Sequence, residues 1–184
     1  MIKAILTILM MLLSLNAFGQ ALTAQQATDK LNLVAPSLPF SGTFEQLKYF
    51  KVLKHPLKSH GTFDVNKQRL LWQTLAPVKS AVLYENDMLY TINSRGDKKP
   101  TPQGSDMSTL IFALLQGKFK ELEKVFNLST DKRRNCISMT PTSEPLSMAL
   151  NNVVLCGQGG IDKIELFDSK NNKTIIHLQF ASQK

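Results

Sequence analysis

The sequence predicts an antiparallel α+β domain, and three observations support this class. Strand-like stretches come first, two helical stretches follow, and strand-like stretches return after them. Short polar turns separate the strands, whereas parallel βαβ units would require long crossover connections. The clearest stretch is 38–77, where apolar residues alternate with polar ones over three successive strands.

Residues 1–19 have the pattern of a secretory signal peptide. Lys3 gives a short basic start, residues 4–15 are almost all apolar, and Ala17 and Gly19 place small residues where a signal peptidase cuts. The apolar run is too short to be a membrane span. We therefore expect cleavage near Gly19 and one exported domain over residues 20–184.

The mature domain is expected to be basic. Removal of Lys3 would leave 21 basic against 14 acidic side chains, a net charge of +7. An exported protein rarely meets nucleic acid, so we expect no nucleic-acid partner. Anionic lipid head groups or an acidic partner are the expected targets. A basic surface that serves only solubility would explain the charge equally well.

The N-terminal half is predicted to hold a helix and five strands. The helix covers 22–35, where apolar residues recur at helical intervals before Pro36. In the fourth strand the neighbours Leu83 and Tyr84, which face opposite sides of the sheet, are both apolar, and the fifth strand is similar. Both faces of these two strands therefore need to be covered. The strands are expected over 38–50, 57–65, 69–76, 78–84 and 88–92.

Four lysines gather with His55 around the turn between the first two strands. One interpretation is a docking patch for head groups or a membrane partner. The alternative is a solvated hairpin whose lysines discourage edge-to-edge pairing. The four are Lys48, Lys51, Lys54 and Lys58.

The second half is predicted to begin with an exposed loop over 93–105 and two helices over 107–116 and 119–126. The first helix is the stronger prediction, because its apolar residues form one continuous stripe. Four strands follow, over 135–140, 150–156, 161–167 and 174–180.

The two cysteines fall in neighbouring strands of this second half. If those strands pair as a hairpin centred near Leu146, Cys136 and Cys156 face each other. A bridge closing about twenty residues would stabilise the fold by roughly 3 kcal/mol. A register shift of one residue would part them and leave two small buried thiols instead.

No motif of an enzyme is present. The sequence has no HExxH, GxSxG, P-loop or GxGxxG pattern. His55 and His60 are five residues apart, which sends them to opposite faces of a continuous strand, and His177 stands alone. We therefore expect neither catalysis, nor a metal, nor a cofactor.

Four short motifs occur in order within the first strands. They are Phe44-x-Gln46-x-Lys48, then Pro56-Leu57-x-Ser59-x-Gly61-x-Phe63, then Leu71-Trp72, then Pro77. Together they resemble the start of the outer membrane lipoprotein carrier family, the LolA-like proteins, best over residues 38–92. The resemblance implies a strongly curved antiparallel sheet, an incomplete β-barrel, with helices covering its open concave side as a lid.

The same resemblance implies a monomeric periplasmic carrier. It would take an acylated lipoprotein or lipid from an inner-membrane exporter and pass it to an outer-membrane acceptor. Two alternatives are a lipid-sensing or regulatory module that uses the same cavity, and a lipid hydrolase, which would need a nucleophile and a base at the cavity mouth.

The candidate lipid-binding residues are apolar side chains of the sheet and of the first lid helix. For each residue taken singly, a place in a dry core is the alternative. The candidates are Phe40, Phe44, Leu70, Trp72, Val82, Tyr84, Met88, Tyr90, Leu110, Leu114 and Leu115.

Lid control is expected at Lys67 or Arg69. Proteins of the resembled family place an arginine near the turn into the tryptophan strand, where it helps to hold the lid closed. Neither residue stands in clear register with that arginine, and a lysine makes no forked pair of hydrogen bonds. The resemblance therefore leaves the mechanism of lid control open.

Overall fold

The structure is a computed structural model, which describes residues 20–31, 38–86, 88–101, 107–115, 118–144 and 146–181. These residues form one antiparallel sheet of twelve strands with helices against one side. Within the described ranges the two end strands, at either end of the line of strands, are not paired with each other, so the sheet does not close into a barrel. This confirms the predicted class of a large open antiparallel sheet with a few helices.

The elements are named here in chain order. They are β1 (Ala21–Leu22), α1 (Ala24–Lys30), β2 (Phe40–Tyr49), β3 (Leu57–Val65), β4 (Arg69–Ala76), β5 (Ser80–Glu85), β6 (Met88–Ile92), β7 (Lys98–Thr101), α2 (Met107–Leu115), α3 (Phe119–Leu122), β8 (Phe126–Thr130), β9 (Cys136–Pro141), α4 (Leu146–Ala149), β10 (Leu150–Gly157), β11 (Ile161–Asp168) and β12 (Lys173–Phe180).

The sheet consists of two meanders joined in the middle. Strands β2 to β7 pair in succession, and so do β8 to β12, with β1 added outside β8. The joint is the pair β12–β2, which runs from Lys173 opposite Tyr49 to Phe180 opposite Gly42. Antiparallel pairing throughout follows from the short turns that connect neighbouring strands.

Most element ends match the prediction within one or two residues, but three predictions differ, and two of them lie in the middle of the chain. The stretch 93–105 is not all loop, because it contains β7. The second helix does not reach Phe126: it ends at Leu122, and Phe126 begins β8. The short helix α4 was not predicted.

The N-terminal helix is shorter than predicted and is fixed by its first turn. Thr23 accepts a hydrogen bond from the backbone N–H of Gln26 (3.3 Å), and the Gln26 side chain accepts one from the N–H of Thr23 (2.9 Å). This capping box satisfies two of the donors that a helix start leaves open. Residues 32–35 of the predicted helix and the predicted signal peptide, 1–19, lie outside the described residues.

The two faces of the sheet differ. On the inner face, which we define as the face against which the helices pack, side chains of β8–β12 are almost fully buried together with α1, α2 and α3. Ile137, Val153 and Ile164 are each 0 % exposed. None of the described helices has the length and apolar character needed to cross a bilayer.

The outer face carries a second, smaller cluster around a disulfide. Cys136 pairs with Cys156 in the β9–β10 register, and their sulfur atoms are bonded at 2.01 Å. Val154 is buried with them, and Phe167 packs against the group. The structure therefore places the two cysteines opposite each other, as the hairpin interpretation of the sequence expected.

Candidate functional site

A run of aromatic side chains crosses the inner face over the β12–β2–β3–β4 part of the sheet. Trp72 stacks on Phe44, with ring centres 4.0 Å apart, and lies 5.9 Å from Phe63. Phe180 contacts both Phe63 (5.5 Å) and Phe40 (5.6 Å). Because paired aromatic rings stabilise one another beyond the area that they bury, this run gives the inner face a rigid apolar floor.

Two glycines make room for these rings. A Cβ atom on Gly61 would lie 2.8 Å from a ring carbon of Phe44 and 1.9 Å from the backbone oxygen of Gln73. A Cβ atom on Gly42 would lie 2.4 Å from a ring carbon of Phe63. A side chain at either position would displace an aromatic ring, so glycine is needed there for close approach.

Burial on the inner face changes from one side of the sheet to the other. Across β8–β12 the apolar side chains are closed off by helices, but Trp72, Val82 and Tyr84 are only half-buried. Register places these three side by side, since Trp72 pairs with Val82 and Tyr84 lies two residues further along β5. Leu70 and Leu89 both pair with Tyr84 on the same face and are 1 % and 2 % exposed. We call Trp72, Val82 and Tyr84 the β4–β5 patch.

Nine of the eleven candidate lipid-binding residues lie on the inner face or on α2. Six of them are buried in the main core cluster, and the remaining three are the β4–β5 patch. The six are Phe40, Phe44, Leu70, Leu110, Leu114 and Leu115.

The placement of Met88 and Tyr90 in the same lining was wrong. Glu85 pairs with Met88 and Leu83 with Tyr90, so both side chains lie on the outer face, opposite to Tyr84. Met88 is 44 % exposed, and the Lys98 amine stands 3.9 Å above the Tyr90 ring. Leu89, which pairs with Tyr84, occupies the inner position instead.

The assignment of lid control to Arg69 does not agree with the structure either. Arg69 pairs with Glu85 and therefore points to the outer face, away from the helices. Its guanidinium lies 4.0 Å from the Asp64 carboxylate, and both side chains are partly exposed. Lys67 is exposed in the turn between β3 and β4.

The strongest charge cluster of the described residues lies on the outer face, away from the β4–β5 patch. The Glu165 side chain is only 5 % exposed and contacts Arg133 at 2.7 Å, Lys163 at 3.1 Å and Lys173 at 3.2 Å. Burial alone would raise the pKa of Glu165, but hydrogen bonds from these three cations outweigh burial and lower that pKa to about 2. The cluster is a structural ion network.

The described residues contain no cluster of three or more His, Cys, Asp or Glu side chains that could hold a metal ion. His55, His60 and His177 are all exposed. What the inner face offers is apolar surface, which can shelter hydrocarbon without any reaction.

Three inner-face residues were missed as site candidates. Phe63 and Phe180 belong to the aromatic run, and Leu89 lies beside the β4–β5 patch, paired with Tyr84. The alternation of Phe63 with Val65, and of Phe180 with Leu178, already assigned these side chains to an apolar face. This alternation was sufficient to predict both phenylalanines as site candidates.

Comparison with known structures finds similar chains of low sequence identity, and the LolA superfamily protein among them supports the fold. A LolA superfamily protein from Nitrosomonas europaea shares 8 % identity with a TM-score of 0.51, over 89 % of this chain and 95 % of that one. A DUF1329 family protein from Desulfovibrio piger (9 % identity, TM-score 0.47) covers 85 % and 90 % of the two chains. An outer membrane lipoprotein-sorting protein domain from Vibrio parahaemolyticus (9 %, 0.45) covers 88 % and 93 %.

Sequence comparison identifies the family. None of the curated proteins matches this sequence. The family model described as outer membrane lipoprotein carrier protein LolA matches residues 37–184, which is most of the chain and includes all strands from β2 to β12. The chain belongs to the LolA family.

Proposed function

We propose that this protein is a periplasmic carrier that shelters the acyl chains of a lipoprotein or another lipid while they cross between two membranes. It takes its cargo from an inner-membrane exporter and passes it to an outer-membrane acceptor, without covalent chemistry. Membership of the LolA family supports this type of role, because the family is described as carrying outer membrane lipoproteins.

The observation that carries the proposal is the half-buried β4–β5 patch. Across β8–β12 the inner face is covered by helices, but here apolar side chains remain half-accessible next to the stacked aromatic rings. A hydrocarbon tail laid on Trp72, Val82 and Tyr84 would complete the burial of these side chains. The entry point of a tail is therefore assigned to this side of the sheet.

Burial of a tail supplies enough free energy without polar contacts. Each methylene removed from water contributes about 0.8 kcal/mol, so a dozen contribute roughly 10 kcal/mol before the cost of immobilising the chain. A carrier must also release its cargo. A patch that is open on one side lets a tail leave without disruption of the core.

Trp72 provides a direct test, because it is the only tryptophan of the chain. A fatty acid brominated near the middle of its chain quenches tryptophan fluorescence when the bromine atoms contact the ring. We expect saturable quenching of Trp72 by the brominated acid and no quenching by the unbrominated acid. A second arm, native mass spectrometry of protein purified from its own cell envelope, should show retained lipid.

A pair of neighbouring substitutions supplies the control. Val82→Arg places a charge in the patch and should abolish quenching, whereas Ala81→Arg places the same charge on the outer face of the same strand. Both positions are half-buried, so the two variants should unfold at similar temperatures. Equal quenching in both variants, or none in the wild type, would rule out the patch as the acyl site.

A further inference from the structure

We propose that one end of the sheet docks onto the surface of an anionic lipid bilayer. This end, the β2–β3 rim, carries the turns β2–β3, β4–β5, β6–β7 and β11–β12 together with α4, because antiparallel strands bring alternate turns to the same end. The rim is separate from the β4–β5 patch, which consists of Trp72, Val82 and Tyr84. Docking of the rim is proposed for the protein with or without a bound acyl tail.

Exposed apolar side chains are concentrated at this rim. Nine large hydrophobic residues of the described chain are exposed, and seven of them lie in the rim turns or at the adjacent strand ends. Val52, at the tip of the β2–β3 turn, is 89 % exposed. The seven are Tyr49, Val52, Leu53, Leu57, Leu75, Val78 and Met148; Leu38 and Met88 lie at the other end.

Positive charge is interleaved with these apolar residues. The segment 48–58 contains four lysines and no acidic residue. The sheet order places β2 and β3 in its interior, between β12 and β4, so these lysines do not protect an edge strand. The edge explanation applies to β7, which carries Lys98 and Lys99 at the true end of the sheet.

A groove of about 640 Å³ next to the tip is suited to lipid phosphate groups. Lys48 and Lys51 line it from the β2–β3 side and Lys170 lines it from the β11–β12 turn. Asp168 also lines the groove, but its oxygens accept hydrogen bonds from Asn172 and from two backbone N–H groups of its own turn. Asp168 keeps its negative charge, but three lysines against this one carboxylate leave the groove lining with a net charge of +2, which favours an incoming anion.

The chemistry of the tip favours a membrane over a protein partner. The segment 48–58 has lysines but no arginine, whereas arginine is among the residue types enriched in protein interfaces and lysine is depleted there. A lysine amine is a mobile point charge on a flexible apolar stem, which suits a diffuse anionic surface. Tyr49, which is exposed, adds an aromatic residue of the type that settles at head-group depth.

The tip of the β2–β3 turn, which carries Val52 and Leu53, is fixed by hydrogen bonds within the protein. The N–H of Leu53 donates to the oxygen of Phe50 at 3.1 Å, which closes the turn. The N–H of Lys51 donates to the Asn172 side chain at 3.4 Å, which ties the turn to its neighbour. The turn therefore holds two exposed apolar residues, Val52 and Leu53, between Lys51 and Lys54.

The test is co-sedimentation of the full chain with vesicles. We expect binding to vesicles of equal parts phosphatidylglycerol and phosphatidylcholine, weakening with added salt, and little binding to phosphatidylcholine alone. The double substitution Lys51→Glu with Lys54→Glu should weaken binding roughly 25-fold or more, since each lysine near an anionic surface contributes about fivefold.

The matched control reverses two charges at the opposite end. Lys132 and Arg134 are exposed in the β8–β9 turn, and Lys132→Glu with Arg134→Glu makes the same change in net charge. This variant should keep most of the binding. An equal loss in both variants would show attraction by net charge alone and would overturn the proposal, as would absence of binding in the wild type.

Substitution of the apolar residues tests whether the tip of the β2–β3 turn inserts into the bilayer or is only attracted by its charge. Val52→Ser with Leu53→Ser should weaken binding to the anionic vesicles, whereas Met88→Ser at the opposite end should not. Unchanged binding in the tip variant would contradict insertion of the tip.

Quenching of Trp72 by brominated acid, measured in the same variants, should stay intact. Loss of vesicle binding with retained quenching then separates this inference from the proposed carrier function. Capture of an envelope protein by the wild-type tip, with no vesicle binding, would replace the membrane with a protein partner and overturn the proposal.

Discussion

At the scale of single residues, Glu165 shows how this sheet tolerates a buried charge. Its carboxylate is surrounded by Arg133, Lys163 and Lys173, whose own side chains are 28–43 % exposed. The buried partner therefore depends on the exposed ones, because a buried carboxylate without cations is costly. Asp131, bonded to Arg133, holds that guanidinium in position, and this hydrogen bond lowers the pKa of Asp131.

Because of Glu165, the free energy of unfolding should decrease as the pH falls into the acid range. Its folded pKa, about 2, lies below the ordinary value of 4.5, so its contribution is fully present above that ordinary value and is lost as pH falls towards 2. The shift corresponds to a contribution on the order of 3 kcal/mol. Urea unfolding of wild type and Glu165→Gln across this range should show a steep acid limb in the wild type and a flatter one in the variant.

The exposed Glu123 serves as the control for this measurement. Glu123→Gln removes the same charge and should leave the acid limb as steep as in the wild type. If Glu165→Gln retains the full limb, other carboxylates cause the acid sensitivity and the ion network contributes little.

Residue-level prediction failed where both faces of a strand are apolar. Met88, Leu89 and Tyr90 are all suitable for a core, so composition could not decide which of them face inward. The register decides it, because Glu85 pairs with Met88 and only two residues separate them. The sequence analysis placed three residues between the two strands, which pairs Tyr84 with Met88 and turns Met88 inward. A two-residue turn pairs Glu85 with Met88 instead and would have predicted Leu89 as the inner residue.

At the scale of elements, three strands were not predicted from the sequence: the two-residue β1 and the longer β7 and β8. The edge strand β7 reads Lys-Lys-Pro-Thr, which lacks apolar alternation because an edge strand carries charge and proline against unwanted pairing. Strand β8 follows α3 closely, so Phe126 was assigned to the helix although Phe126 and Leu128 alternate with polar residues. The long central strands, each with one buried set of residues, were predictable.

The β9–β10 hairpin should depend on its disulfide. Cys136 and Cys156 are separated by 20 residues, so the chain-entropy model gives about 3 kcal/mol for the bridge. Replacement of both by alanine should lower the free energy of unfolding in urea by this amount. Mass spectrometry of the wild type with and without reductant provides the control, since the bridge accounts for a difference of two hydrogens. Equal stability of wild type and variant would show that the small outer cluster packs as well without the bridge.

At the scale of the whole molecule, the inner face is divided into a closed part and an open part. Leu114 on α2 is 1 % exposed and belongs to the closed part, whereas the β4–β5 patch is half-buried. The candidates proposed from the sequence therefore separate into core and accessible surface. Sequence could not make this division, because it depends on which part of the sheet the helices cover.

Leu114→Arg should therefore act on folding rather than on binding alone. An arginine in this closed position would lose the leucine packing and bury a charge without a partner, at a cost of several kcal/mol, comparable to the stability of a typical domain. Thermal unfolding followed by circular dichroism should show a large drop in midpoint. A folded Leu114→Arg variant with normal melting and no acyl binding would instead mean that the space beneath α2 receives the tail.

The central pair β12–β2 has a consequence for how the chain reaches its folded state. The first long strand pairs with the final one, so these partners are separated by more than a hundred positions in sequence. Each meander can form from local hairpins, but the two can unite only after β12 has been delivered, and such distant pairings form slowly. Until then β2 presents a bare edge, and we expect this interval to be the one in which a newly made chain most needs protection from aggregation.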